Sequence, residues 1–256
     1  MTGEGGADRT VRIWTQVGQQ SGGEPVSVAH VCAAAVSAVR VHGAGVTVMI
    51  SPTVRDIVHA TDRVAGELEE WQLTFGEGPC VDAFSDGGPV LAGDLRAPDC
   101  LARWPVFAPA ALGSGARAVF AMPLQVGVIR LGVLDLYRTR PGPLSRHELA
   151  DALAFADTAS MLLLDTAAGV PPAIAELAWQ RDDPTAHQAQ VHQATGMIQV
   201  QLGVTAETAF ARLRAHAYAH DRRLGDAARD VVERRMRFEP DPPPLPDRPP
   251  ADHDEK

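Results

Sequence analysis

The pattern of apolar and polar positions divides the chain into two parts. In the first part, short runs with an apolar residue at every second position predict strands, and they alternate with segments whose apolar residues recur every three or four positions, as on one face of a helix. The predicted strands cover residues 43–50, 53–60, 89–94, 116–124 and 128–137. The predicted helices cover residues 26–41, 62–73, 100–112 and 145–165. This mixture predicts an α+β domain with helices around an antiparallel sheet.

One predicted helix of this domain carries clear start and stop signals. Thr61 or Asp62 supplies a capping oxygen for its first N–H groups, and the helix is expected to run to Leu73. The Gly- and Pro-rich segment 76–79 cannot continue it. Three acidic residues of this helix are expected to be exposed: Glu67, Glu69 and Glu70.

The second part has helical periodicity only. Its first helix has an apolar stripe made of Val191, Ala194, Ile198 and Leu202. Gly203 can adopt the left-handed conformation that ends a helix, and Thr205 can cap the next one. The second helix has a stripe made of Ala209, Phe210, Leu213 and Ala217, and a third helix is expected over residues 224–238. The pattern predicts a three-helix module.

Composition adds a charge contrast between the two parts. The 256 residues are 45% hydrophobic and carry a net charge of -9, yet residues 186–238 contain eight arginines against five acids. A basic module within an acidic protein is typical of nucleic-acid binding, because arginine pairs with phosphate and stacks on unpaired bases. No apolar run approaches the roughly 20 residues of a membrane span, and the first residues lack signal-peptide features, so we expect a cytoplasmic protein without a membrane partner.

The termini and the connector have compositions that bury little surface. Residues 1–24 are expected to be a flexible N-terminus, and Gly169, Pro171 and Pro172 indicate a linker over residues 169–183. Repeated prolines and acids predict a disordered tail over residues 239–256. The two folded parts are therefore expected at residues 25–168 and 184–238.

The run QATGMIQVQLGVTAETAFARLRAHAYAHDRRLGDAARDVV resembles an ANTAR domain, a three-helix RNA-binding module of bacterial transcription antiterminators. Members typically have Gln-Ala-Lys-Gly in the first helix, whereas this chain has Thr195 at the lysine position, so RNA affinity is expected to depend more on its arginines. The resemblance implies a structured RNA partner, a dual stem-loop in a nascent transcript. It implies RNA-binding residues Gln193, Thr195, Gly196, Arg212, Arg214, His216, Arg222 and Arg223.

In this interpretation the four arginines contact phosphates, while Gln193, Thr195 and His216 read loop bases. A homodimer is expected, because two RNA loops suit two copies of the module. The apolar stripe of the first helix could pair between chains as well as pack within one.

Several stretches of the first part resemble a GAF domain, the small sensor fold that precedes ANTAR domains in actinobacteria. They are TFGEGPCVDAF at 74–84, PVLAGDLR at 89–96, ARAVFAMPLQV and IRLGVLDLYR. The resemblance implies a pocket for a small-molecule ligand of unknown identity. Candidate lining residues are Trp71, Phe75, Cys80, Phe84, Trp104, Phe120 and Tyr137. The chain has no Asn, which excludes the Asn-Lys-Phe-Asp-Glu constellation of cyclic-nucleotide GAF domains.

The favoured interpretation is a GAF and ANTAR regulator of transcription antitermination whose GAF domain senses a small-molecule or redox signal. It is not an enzyme and has no catalytic residue, cofactor or metal site. Cys32, Cys80 and Cys100 are odd in number and lack metal-ligand spacing, which favours reduced thiols. His216 and His220 have zinc-compatible spacing but no evident third ligand. Two alternatives stay open. One is a thiol-dependent GAF-fold reductase that uses Cys80, and the other is a helix-turn-helix DNA-binding regulator.

Overall fold

The computed structural model describes residues 4–49, 55–169, 185–220 and 222–239. The expected linker and tail therefore lie almost wholly outside the described residues. The strands are β1 (Gly43–Met49), β2 (Arg55–Ala60), β3 (Val90–Ala92), β4 (Ala118–Val126) and β5 (Ile129–Arg138). The helices of the first part are α1 (Glu4–Ser21), α2 (Val28–Val39), α3 (Arg63–Phe75), α4 (Pro79–Asp86), α5 (Pro98–Arg103), α6 (Phe107–Gly113) and α7 (Arg146–Gly169). The second part contains α8 (Thr185–Leu202), α9 (Ala206–Ala219) and α10 (Leu224–Val232).

The five strands form one antiparallel sheet in the order β2-β1-β5-β4-β3. Because side chains alternate along a strand, each strand supplies residues to both faces. Phe120 of β4 and Leu134 of β5 pack with α1, α2 and α7 on one face. Val119 and Tyr137 pack with α3 and α6 on the other face. The α+β class and the helix-flanked antiparallel sheet are confirmed.

Residues 1–24 were expected to be flexible, but most of this segment forms helix α1. Helix α1 places Ile13 and Val17 in the core with no exposed surface. Arg9 and Arg12 bind Asp151 of α7 at 3.0 and 2.7 Å. The expectation was wrong because it rested on the Gly-rich start of the segment. Ile13 and Val17, which follow at i and i+4, lie on one face of α1 and pack that helix against the core.

Proline and glycine explain the other differences between predicted and observed elements. The predicted helix 100–112 is split into α5 and α6, since Pro105 interrupts the hydrogen-bond ladder between them. Gly76 ends α3 with φ of +70°, and Pro79 occupies the first turn of α4, a helix that the sequence reading did not predict. The last helix ends at Val232 rather than near residue 238, and Arg234 follows with φ of +60°.

The three helices of the second part enclose their own core. Thr205 caps α9 as predicted, since its side chain accepts a hydrogen bond from the Thr208 N–H at 3.2 Å. Gly203 has the predicted left-handed conformation, with φ of +66°. The α8 residues Val191, Ala194 and Ile198 are buried in this core. A dimer interface would therefore have to use another surface of the module.

Candidate functional site

Helix α3 lies between the sheet and the three-helix module, and its acidic residues are engaged on both sides. Asp62 caps it as predicted, accepting a hydrogen bond from the Ala65 N–H at 2.9 Å. The expectation that Glu67, Glu69 and Glu70 are exposed was wrong, since Glu67 and Glu69 are 7% and 3% exposed and the Glu70 side chain is 19% exposed. Glu69 lies four residues after Ala65, on the face of α3 that is turned toward the sheet. Glu67 lies on the side of α3 that contacts the three-helix module, where it binds Arg223.

The inward face of α3 contributes to a buried polar cluster. The Thr47 hydroxyl donates to Glu69 Oε2 at 2.8 Å. Gln72 Nε2 donates to Asp135 Oδ2 at 2.9 Å, and Gln72 Oε1 accepts from the Cys80 backbone N–H at 2.7 Å. Gln72 therefore links β5 to the start of α4.

Three chemically active groups meet in this cluster. A carboxylate oxygen of Glu69, the Sγ of Cys80 and a carboxylate oxygen of Asp135 all lie within 4.8 Å of one another. We call these three residues the buried donor cluster. It is the only group of three candidate metal donors among the residues that the structure describes.

Burial dominates the electrostatics of the donor cluster. It raises the pKa of Glu69, and the neighbouring Asp135 raises it further. Burial likewise raises the pKa of Asp135 and of the Cys80 thiol. Arg55 lies beside these groups and donates to the backbone oxygen of Gln72. Burial lowers the pKa of Arg55, opposed by Cys80 and Glu69, but a guanidinium keeps its charge in proteins.

These properties bear on the reductase alternative, which needs a reactive thiolate at Cys80. Cys80 is fully buried, and its raised pKa keeps it as a thiol at neutral pH. Cys100 lies on α5, where burial also raises the pKa of its thiol. Cys80 has Arg55 beside it but lacks the accessibility that a catalytic thiol needs, and the acidic neighbours Asp94 and Asp99 raise the pKa of Cys100 further.

The residues predicted to line one ligand pocket are divided between three packing clusters. Trp104 and Tyr137 are buried in one cluster, and Trp71 and Phe75 of α3 pack against it. Cys80 and Phe84 pack against the sheet beside them. Phe120 lies on the opposite face of the sheet, because its position alternates with Val119 and Ala121 along β4. Its assignment to the same pocket was therefore wrong.

The outward side of α3 binds the three-helix module through Arg223. Its Nη2 donates to Glu67 Oε1 at 2.5 Å, its Nη1 lies 3.6 Å from Glu70 Oε2, and its guanidinium carbon lies 5.7 Å from the ring centroid of Trp71. Burial alone would raise the pKa of Glu67, but hydrogen bonds from Arg223 and Arg63 outweigh it and lower the pKa. The pair therefore behaves as a charged contact.

Further contacts extend this interface toward the end of α3. Phe75 packs edge to face on Tyr218 of α9, with ring centroids 6.1 Å apart. A Cβ atom at Gly76 would lie 2.7 Å from Arg214 Nη1. Leu73 is part of the buried core of the module. Two of the predicted RNA-binding arginines, Arg214 and Arg223, thus lie against the first domain.

The other predicted RNA-binding residues lie elsewhere on the module. Gln193 and Gly196 line a groove of about 720 Å³ whose lining also includes Arg234 and Arg237. Thr195 is turned to its own helix, since its hydroxyl donates to the Val191 carbonyl at 2.7 Å.

The remaining three lie on α9 and in the turn before α10. Arg222 binds Asp230 at 2.7 Å, and Arg212 is exposed on α9. His216 stacks on His220 with ring centroids 4.1 Å apart, and burial lowers the pKa of His216. The predicted RNA-binding residues therefore lie on at least two separate surfaces of the module. The surface that contains Arg214 and Arg223 is covered by the first domain.

The fold and the site define a two-part protein in which a helix-flanked antiparallel sheet carries a helical module on one of its helices. The GAF domain family matches residues 13–163, and the ANTAR domain family matches residues 185–232. The chain belongs to the GAF domain family and carries a C-terminal ANTAR domain. Together these domains support a regulatory protein of signal transduction and RNA-binding antitermination.

Solved structures with a similar fold include several GAF domains. One, from a Coxiella burnetii phosphoenolpyruvate-protein phosphotransferase, is 15% identical with a TM-score of 0.47, over 63% of this chain and 96% of that one. The GAF domain of the Acinetobacter enzyme is 12% identical with a TM-score of 0.47, over 67% and 99%. Free methionine-R-sulfoxide reductase from Neisseria meningitidis is 18% identical with a TM-score of 0.46, over 66% and 96%.

These structural likenesses are too distant to bear on activity. Comparison with curated proteins found no match. Among the described residues, no helix has the length and apolar character needed to cross a membrane.

Proposed function

We propose that the protein is a signal-responsive RNA-binding regulator of transcription antitermination. In this proposal the GAF domain senses a small-molecule or redox signal, and the ANTAR domain, at residues 184–238, binds a dual stem-loop RNA in a nascent transcript. In this proposal the protein binds RNA in the cytoplasm, where transcripts are made. Two RNA loops suit two protein copies, so the active form is a homodimer.

Charge and geometry support RNA as the ligand of the module. In this proposal Arg212 and Arg222 contact phosphates, for which Arg222 has to leave Asp230. The groove lined by Gln193 and Gly196 also has apolar residues, among them Met197 and Val231, and two arginines, Arg234 and Arg237. Such a groove suits an unstacked loop base, whose flat face needs apolar contact and whose edge needs hydrogen bonds.

The observation that carries the proposal is the contact of Arg223 with Glu67 and Glu70. These carboxylates occupy the guanidinium that a phosphate would otherwise bind, so RNA and the GAF domain compete for it. A signal that moves α3 would change this competition. The contact therefore gives the sensor a direct physical route to RNA affinity.

The test is the affinity of the full chain for a dual stem-loop RNA, a scrambled RNA and a matched DNA duplex at fixed salt. We expect preference for the structured RNA, and a loss of affinity in the double variant Arg222→Ala with Arg223→Ala. Arg140→Ala is the matched control, since it removes an exposed arginine of the GAF domain. Preference for the duplex would instead favour the helix-turn-helix alternative, and unchanged binding by the double variant would refute the proposal.

A further inference from the structure

We propose that the buried donor cluster, Glu69, Cys80 and Asp135, is a binding site for a divalent transition-metal ion of the zinc type. The site lies inside the GAF domain and does not depend on RNA binding. Its residues come from three separate elements, α3, α4 and β5. Their meeting point is created by the fold.

The distances between the donor atoms are close to those that a tetrahedral ion needs. The three atoms lie within 4.8 Å of one another. Zn–O and Zn–S bonds of about 2.1 and 2.3 Å place two tetrahedral oxygen ligands and one sulfur ligand about 3.4 to 3.6 Å apart. The ligands would therefore have to converge by about 1 Å, and movement of α3, which carries Glu69, would supply part of this distance.

Asp135 shows how closely the donor groups are coupled. It is 4% exposed, its Oδ2 accepts a hydrogen bond from Gln72, and its buried Oδ1 has no partner outside the donor cluster. Within the cluster Asp135 can accept the protons of Glu69 and Cys80. A bound cation would take the place of those protons and satisfy the same carboxylate.

The surrounding residues hold the donor groups in place. Thr47 fixes Glu69, and Gln72 fixes both Asp135 and the backbone of Cys80. Metal sites characteristically use such outer hydrogen bonds to orient their ligands. Gln72 thus aligns two of the three ligands from one side chain.

Ligand chemistry and charge select the kind of ion. A thiolate with two carboxylates suits a borderline-soft ion such as Zn²⁺ better than Mg²⁺ or Ca²⁺, which prefer oxygen alone. Glu69 and Cys80 release their protons to solvent as they bind the metal, since a coordinating thiol is deprotonated. The three ligand charges are then balanced by the divalent ion and the neighbouring Arg55.

The site is joined to the module through α3. Glu69 points inward to the donor cluster, while Glu67 and Glu70 of the same helix hold Arg223. Convergence of Glu69 on a metal would shift the helix that carries the interdomain contact. This consequence rests on the proposed function, whereas metal binding itself does not.

The test is a titration of chelator-treated full-length protein with Co²⁺, followed by displacement with Zn²⁺. We expect one Co²⁺ per chain, with a thiolate-to-cobalt charge-transfer band in the near ultraviolet. Cys80→Ser should abolish the band, and Cys100→Ser should retain it. Glu69→Gln and Asp135→Asn should each weaken Co²⁺ binding about tenfold or more. Circular dichroism establishes that each variant is folded.

A second control separates this site from the stacked histidines of α9. The double variant His216→Ala with His220→Ala should leave the charge-transfer band unchanged, because only a thiolate produces it. Absence of the band in the folded wild type, or its persistence in Cys80→Ser, would overturn the proposal. Since wild-type protein decides the first point, a variant that does not fold cannot hide the result.

RNA affinity measured on the same samples distinguishes the two proposals. A band with no binding of structured RNA would refute the proposed function and leave the metal site standing. Binding of structured RNA without the charge-transfer band would refute the metal site and leave the proposed function standing. A band together with an RNA affinity that metal does not change would refute the coupling through α3.

Discussion

Replacing Glu67 by glutamine tests whether the GAF domain restrains the RNA-binding arginine. The substitution keeps the shape of the side chain but removes the charge that holds Arg223 at 2.5 Å. We expect RNA affinity to rise, because Arg223 would leave the GAF domain more readily. The measurement is fluorescence anisotropy with a dual stem-loop RNA at fixed salt.

The size of the effect follows from the burial of the pair. A hydrogen bond to a charged group stabilises a protein by about 1.5 to 3 kcal/mol, whereas exposed ion pairs contribute about 0 to 1 kcal/mol. Glu67 is 7% exposed but Arg223 is 42% exposed, so solvent screens the pair from one side. If the ion pair contributes about 1 kcal/mol, its loss corresponds to a gain of about fivefold in RNA affinity. This holds when most free protein has Arg223 bound to the GAF domain.

Arg63 provides a matched control for this substitution. It also binds Glu67, at 2.6 Å, but its side chain is 74% exposed and the contact lies within α3. Arg63→Gln should therefore leave RNA affinity within twofold of the wild type. An unchanged or weaker affinity in Glu67→Gln would refute the reasoning, and so would an equal gain in Arg63→Gln.

Three further predictions concern the fold and the cluster. Ile13→Ala should lower the free energy of unfolding by about 2 to 5 kcal/mol in a denaturant titration, because α1 is part of the core, while Val11→Ala at an exposed position should change it little; equal effects would contradict this. Gly76→Ala should cost about 1 kcal/mol or more by the same measurement, since φ is +70°, whereas Gly113→Ala, with open space at its Cβ position, should be neutral or better. Cys80 should resist maleimide in the folded protein at pH 7 by mass spectrometry, because burial keeps it a thiol; rapid labelling would revive the redox alternative.

The start and stop signals of individual helices could be predicted from the sequence because their causes are local. Asp62, Thr205 and Gly203 act on residues within one turn, so residue type and position were enough. The prediction failed where two local signals disagreed. Helical periodicity over residues 100–112 predicted one helix, but Pro105 divides it into α5 and α6.

The candidate site could be predicted only in part because it depends on contacts between distant segments. Glu67 and Arg223 are 156 positions apart, and no local pattern pairs them. Glu69 was expected to be exposed because of its charge, although its spacing from Ala65 places it on the inward face of α3. Asp135 of β5 approaches Glu69 only through the packing of α3 on the sheet, which no local pattern reveals. Phe120 lies on the other face of the sheet from Val119 and Tyr137 because side chains alternate along β4.

Hydrogen–deuterium exchange of the full-length protein with and without dual stem-loop RNA tests the central claim most directly. If RNA displaces the GAF domain from Arg223, peptides of the ANTAR domain should exchange more slowly on RNA binding, while peptides covering residues 63–75 of α3 exchange faster. Slower exchange in the ANTAR domain with no change, or with protection, in α3 would contradict the claim that RNA and the GAF domain compete for the same arginine.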